Sequence, residues 1–92
     1  MTGNTITEFI ESLYSNCDKE FTYKNRRYMI QGWVNSDNSY SLQMSEISSD
    51  SPIVFASRNM DRAICVEEFE KSELFDGRTI YEADNEITVL YD

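Results

Sequence analysis

Carboxylates are the only abundant reactive side chains in this 92-residue chain, which has seventeen of them, two cysteines and no histidine. The usual general base at neutral pH, which is also the usual partner of a nucleophilic serine or cysteine, is therefore missing. Glycine occurs only at Gly3, Gly32 and Gly77, so no Gly-rich loop is available to bind phosphate groups. Seventeen acids also make chance carboxylate pairs unavoidable, which removes their value as an acid and base signal. The sequence predicts a protein that is not an enzyme and has no cofactor.

The acids are concentrated in the last third of the chain. Residues 61–92 contain ten Asp or Glu against three basic residues, whereas residues 1–60 contain seven against five. Charge of one sign repels itself and opposes compaction, so its concentration indicates a role in solubility or in partner binding. Direct binding to nucleic acid is excluded because it needs a basic surface, and the calculated pI is about 4.3.

Two rows of acids are candidates for partner binding. Glu82, Asp84 and Glu86 stand two residues apart, so an extended chain would project them from one side about 6.5 Å from each other. Such a row of anions matches a groove that ordinarily holds a phosphodiester backbone. Acids also recur at intervals of three along a predicted second helix. The predicted partner-binding residues are Glu67, Glu68, Glu70, Glu73, Asp76, Glu82, Asp84 and Glu86. A solvated helix face beside an acid-protected edge strand remains the alternative interpretation.

Two other functions stay open. Aromatic residues around a predicted hairpin, including Tyr28 and Trp33, are typical of a small interaction module such as an immunity protein, antitoxin or accessory subunit. Cys17 and Cys65 could belong to a small metal-binding domain, but two further ligands would have to be carboxylates, an uncommon structural set. We expect two reduced thiols, with Cys65 packed in the second helix, and no metal site.

The elements that must position these residues follow from periodicity and turn signals. Thr5 and Glu8 form a predicted capping box for a helix over Ile6 to Asn16. Aromatic and β-branched residues predict paired antiparallel strands at Glu20 to Tyr23 and Arg27 to Val34. The tight turn between them is Lys24-Asn25-Arg26, whose basic cluster we expect either to be solvated or to pair with the C-terminal acids of a second copy.

The second half continues this pattern. A third strand contains Tyr40, Leu42 and Met44, and a loop over Glu46 to Pro52 leads to a short fourth strand at Ile53 to Ala56. A second helix, capped by Asn59 or Ser57 and ending near Ser72, is predicted to bury Met60, Ala63, Ile64 and Phe69. Asp76-Gly77 marks a turn, and Glu86 to Tyr91 reads as the last strand. The predicted fold is α+β, with two helices packed on a mostly antiparallel sheet of about four to six short strands in one domain over residues 1–92.

Targeting signals are not found. The first seven residues lack a basic region and an apolar run, and no stretch is apolar enough to cross a membrane. Two cysteines also match a reducing compartment better than a secreted disulfide framework. We therefore expect a cytoplasmic protein that does not bind membranes.

Four segments carry a family resemblance. They are Glu20-Phe21-Thr22-Tyr23, Tyr28-Met29-Ile30-Gln31-Gly32-Trp33, Cys65-Val66-Glu67-Glu68-Phe69, and the run from Leu74 to Glu82. Together they resemble small acidic proteins carried by phages and conjugative elements of Gram-positive bacteria, some of which are anti-CRISPR inhibitors. The resemblance implies a stoichiometric inhibitor in the cytoplasm of a bacterial host, binding the basic nucleic-acid surface of a protein such as a CRISPR effector nuclease. It transfers no functional residue, so the predicted site residues come from charge geometry.

Overall fold

The computed structural model describes residues 1–15, 18–48 and 50–91, and within them the chain forms two α-helices and five strands. The helices are α1 (Ile6–Ser12) and α2 (Arg62–Lys71). The strands are β1 (Asp18–Tyr23), β2 (Arg26–Val34), β3 (Tyr40–Glu46), β4 (Ile53–Asn59) and β5 (Ile87–Tyr91), and a 3₁₀ helix covers Asp84–Glu86. The predicted α+β class with two helices and an antiparallel sheet is confirmed. No helix in these ranges combines the length and apolarity needed to cross a membrane.

The sheet has the order β4-β3-β2-β1-β5, and every neighbouring pair is antiparallel. Strands β1 to β4 form a meander, and β5 returns to lie beside β1. Thr2 covers the outer side of β5: its amide donates to the Ile87 carbonyl at 3.0 Å, and its carbonyl accepts from the Val89 amide at 2.8 Å. Within the described ranges β4 is therefore the one strand whose outer side has no pairing partner.

The core lies on one face of this sheet. Strand register sets Phe21 opposite Tyr28 and Ile30 opposite Met44, and all four side chains are buried. Both helices cover this face, with the Phe9 ring of α1 5.7 Å from Phe21 in an edge-on contact. Aromatic pairs of this kind add about 0.5–1.5 kcal/mol beyond the burial of their area. The opposite side, here called the open face, presents Gln31, Trp33, Ser41, Gln43 and Ala56.

Two-residue turns connect the strands where the sequence signals them. Lys24 and Asn25 have φ of 48° and 64°, the positive values that a hairpin turn of type I′ needs at both central positions. The predicted hairpin is confirmed, although Arg26 belongs to β2 rather than to the turn. Asp76 and Gly77 likewise have positive φ and reverse the chain between Phe75 and Arg78, as predicted.

Helix α1 is shorter than predicted. It ends at Ser12 instead of continuing to Asn16, which lies outside the described residues. The Tyr40 hydroxyl donates to the carbonyls of Leu13 at 2.8 Å and Ser15 at 3.1 Å. These bonds use carbonyls that a longer helix would need, so the sheet itself ends α1. The predicted capping box of Thr5 and Glu8 is confirmed.

Helix α2 differs from its prediction in both cap and buried side. The N-cap is Asp61, whose carboxylate accepts from the Ala63 amide at 2.9 Å, because β4 extends through Ser57 and Asn59, the predicted caps. The later start rotates the helix, so that Cys65, Val66 and Phe69 are buried. Met60 and Ile64, predicted to be buried, are exposed.

Candidate protein-binding surface

The segment before β5 does not form the predicted extended row of acids. Thr79 to Ala83 forms turns, with the amides of Glu82 and Ala83 both donating to the Thr79 carbonyl. The 3₁₀ helix follows at once and includes Asp84 and Glu86. The Glu82 carboxylate turns back to accept from the Thr79 amide at 2.9 Å, and this local bond competes with an extended chain. The prediction that these three acids align on one side of a strand is therefore wrong.

Asp84 and Glu86 each have a positive partner within the chain. Asp84 Oδ1 lies 3.1 Å from the Met1 amino nitrogen. The Glu86 carboxylate pairs with Arg78, and the hydrogen bond from that guanidinium holds the pKa of Glu86 below its usual range. Arg78 also donates to the Tyr23 hydroxyl at 2.7 Å. These acids join the C-terminal segment to the rest of the fold.

Asp76 plays a similar role at the hairpin turn. Its carboxylate lies 2.9 Å from Lys24 Nζ and accepts from the Tyr23 hydroxyl at 3.2 Å. The hydrogen bond from Lys24 is the largest cause that lowers the pKa of Asp76. Lys24 of the predicted basic cluster is thus paired with a C-terminal acid of the same chain rather than with one of a second copy.

The acids of α2 are placed differently. Glu67 and Glu68 are exposed on the helix, and Glu68 accepts from the Ser57 hydroxyl at 2.9 Å. Glu70 lies one turn after Glu67 on the same side. Glu73 is exposed but follows the C-cap Ser72, so the predicted helical row stops one residue pair before it. Among the described residues, no lysine or arginine lies within ion-pair distance of Glu67, Glu70 or Glu73.

Two exposed tyrosines lie beside Glu70, and the sequence did not single them out. The Tyr81 side chain is 49% exposed and its hydroxyl donates to the Glu70 carboxylate. Partial burial first, and then this hydrogen bond, raise the pKa of Tyr81, with Tyr14 near enough to contribute. We name the set Tyr14, Glu67, Glu70, Glu73 and Tyr81 the acidic tyrosine surface. Tyr14 had been assigned to the apolar stripe of α1, and no local pattern marks Tyr81.

The aromatic hairpin supplies fewer contacts than predicted. Tyr28 is 7% exposed and stacks on Phe21 at 5.5 Å between ring centroids, so it is a core residue. Trp33 is 38% exposed on the open face, and its Nε1 donates to Asn35 Oδ1 at 3.0 Å. It borders a shallow depression of about 210 Å³, which is smaller than the roughly 300–1,000 Å³ of most small-molecule sites. Trp33 is therefore suited to contact with a macromolecule.

The cysteines do not form a described metal centre. Cys65 is fully buried, with Sγ 3.6 Å from the Tyr40 carbonyl oxygen, and this confirms that it packs inside the fold. Cys17 lies outside the described residues. Across residues 1–15, 18–48 and 50–91, no three Cys, Asp or Glu side chains gather as metal ligands.

Comparison with known proteins leaves the surface to be interpreted from its own chemistry. No protein-family model, curated protein or solved structure matches the chain.

Proposed function

We propose that this protein is a non-enzymatic inhibitor that binds the basic surface of a nucleic-acid-handling protein, such as a CRISPR effector nuclease. The contact is made by the acidic tyrosine surface. The observation that carries the proposal is the division of the acids into two groups. Asp76, Asp84 and Glu86 are paired with cations of the chain, whereas Glu67, Glu70 and Glu73 have no such partner among the described residues.

The composition of this surface supports the proposal. Unpaired carboxylates on a chain of net charge −9 attract a basic partner and speed its encounter. Tyr14 and Tyr81 add exposed rings that end in a polar hydroxyl, and tyrosine is among the residues that most often dominate binding energy. Carboxylates would steer the complex while the two rings supply packing. The partner then loses access to the nucleic acid that ordinarily occupies its basic surface.

The test is capture from a bacterial lysate at low salt, followed by elution along a salt gradient and identification by mass spectrometry. We expect a basic nucleic-acid-handling protein to elute at moderate salt, since exposed ion pairs weaken as salt screens them. The purified partner should lose binding when its own nucleic acid is added in excess. Recovery of a neutral partner that stays bound in high salt would contradict the proposal.

A matched pair of variants separates the surface from the overall charge. The triple variant Glu67→Gln, Glu70→Gln and Glu73→Gln removes three charges from the acidic tyrosine surface. The control Asp18→Asn, Glu46→Gln and Asp50→Asn removes three charges elsewhere. We expect the first variant to lose at least about tenfold in affinity and the control to stay within about threefold, because close charge pairs dominate over distant ones. Equal losses would assign the binding to net charge alone.

The open face favours a second candidate, an interaction module that binds a neutral partner through Trp33. Its cations Arg27 and Arg58 are paired with Glu20 and Asp37, so this face is close to neutral on an acidic protein. A partner held there should resist high salt and be lost in Trp33→Ala, whereas the glutamine triple variant should bind it normally. Binding in which Trp33→Ala has no effect would remove this candidate.

A further inference from the structure

Strand β4 is an unprotected sheet edge. Thr2 pairs along the outer side of β5, but no described segment pairs along the outer side of β4. Natural sheets usually guard such an edge with inward charges, a covering segment or a very short strand. Here the strand is seven residues long, and Arg58 is its only charged residue. Arg58 is itself paired with Asp37 at 3.0 Å.

Exposed apolar side chains gather along this edge. Ile53 is 59% exposed, and Val54 follows it on the same strand. Met60, at 67% exposed, directly follows the strand. Ile64 is exposed on the side of α2 that borders β4, because Glu68, one turn further along the helix, bonds to Ser57 of β4. A strip of apolar surface thus accompanies the unpaired backbone groups on both faces of the sheet.

We propose that this edge joins a second copy of the chain, with β4 antiparallel to its symmetry mate. A twofold axis that overlaps all seven residues passes through the central Ala56 and sets Val54 opposite Arg58 and Ile53 opposite Asn59. No like charges stand directly opposite each other, and the two Arg58 side chains are about 13 Å apart along the strand pair. On a chain of net charge −9, this nearly neutral strand is where a second copy meets little repulsion.

The size of the contact indicates a weak dimer. Seven antiparallel residues span about 24 Å, and a sheet with one helix layer is about 20 Å deep, so each copy contributes roughly 500 Å². The total of about 1,000 Å² is at the lower limit for a specific interface. The acidic remainders of the two copies still repel each other, so salt should strengthen the dimer. This response is opposite in sign to that of the proposed inhibitor contact, on which the dimer does not depend.

Sedimentation equilibrium of the full chain tests the proposal. The average mass should rise from 10.8 kDa toward twice that value as concentration increases from micromolar to millimolar, and at lower concentrations in higher salt. Ile53→Lys should weaken association by about tenfold or more, since a charge on an edge strand blocks pairing. Leu90→Lys makes an equivalent change on exposed β5 and should leave association unchanged. A chain that stays monomeric at every concentration, or that loses association only in Leu90→Lys, would overturn the proposal and leave the edge to a strand of another protein.

Cross-linking tests the register in a Cys17→Ser background. Opposite residues of an antiparallel pair have Cβ atoms about 4.5–5.5 Å apart, so Ala56→Cys at the twofold axis should oxidise to a disulfide dimer. The control Gln43→Cys lies opposite Ala56 on the inner neighbour β3. Its two copies would be three strand spacings apart, about 14 Å, which is beyond disulfide reach. Equal cross-linking of both variants would indicate random collision and would overturn the proposed pairing.

Discussion

Gly32 lies directly beneath the hydroxyl of Tyr40, so that a Cβ built on Gly32 would stand 1.9 Å from that oxygen and 2.7 Å from the ring carbon that bears it. The hydroxyl reaches beyond Gly32 to the Leu13 carbonyl after α1. Arg62 at the start of α2 packs over the same ring, 4.6 Å from its centroid. The missing side chain at position 32 thus lets one tyrosine join the sheet to both helices.

We expect Gly32→Ala to lower the free energy of unfolding by about 1–3 kcal/mol, since the added methyl has to displace a fully buried ring. Urea denaturation measures the loss. Tyr40→Leu should be destabilising alone, but Gly32→Ala should cost less in that background because the clash is gone. Strict additivity of the two changes would contradict the proposed contact.

The cap of α2 supplies a second prediction. Asp61→Ala should lower the free energy of unfolding by about 0.5–2 kcal/mol, because the Ala63 amide loses its acceptor. Asp61→Asn keeps a capping oxygen and should lose less. Thermal or urea unfolding of the two variants checks this difference. Equal losses would show that charge rather than capping is responsible.

Acid should weaken the fold through Asp37. The Ser39 hydroxyl and amide, and then Arg58, lower the pKa of Asp37 from 3.8 to about 2. The folded state therefore binds this proton less readily than the unfolded state, so the stabilisation is complete above pH 3.8 and disappears as the pH falls through about 2. Asp76 and Glu86 have lowered pKa values too, and they act in the same direction. Urea unfolding over this pH range should show a shallower slope in Asp37→Asn, and an unchanged slope would contradict the assignment.

Alkaline titration tests the geometry of the acidic tyrosine surface. The pKa of Tyr81 is raised by partial burial and by its hydrogen bond to Glu70. Ultraviolet absorbance should follow one tyrosine that ionises late and is missing in Tyr81→Phe. Glu70→Gln should shift this tyrosine toward the ordinary value of about 10 because the negative acceptor is gone. A titration unchanged by Glu70→Gln would separate the two side chains.

Local patterns predicted most of the elements. The Thr5 capping box, the alternation around Leu42 and the Asp76-Gly77 turn depend on residues a few positions apart, and the structure has all three. The bounds of α1 and α2 could not be predicted, because contacts from distant strands decide them. Tyr40 ends α1 from 27 residues away, and the extension of β4 displaces the start of α2.

The candidate site was less predictable than the fold for the same reason. Charge counts located the acidic region, but a carboxylate is available to a partner only if no distant cation reaches it. Asp76 pairs with Lys24 across 52 positions, and no spacing rule detects such a pair. Tyr81 joins Glu70 through a turn that the sequence does not specify, so its part in the surface emerged only from the structure.

The position of β5 has a consequence for synthesis of the protein. Strands β1 to β4 pair with sequence neighbours and can assemble as they leave the ribosome, but β1 receives its second neighbour only when Ile87–Tyr91 has been made. Until then the β1 side of the nascent sheet is open, and Thr2 has no strand to cover. An early stall in translation would therefore release a sheet with two bare edges, the form most exposed to aggregation and to proteases.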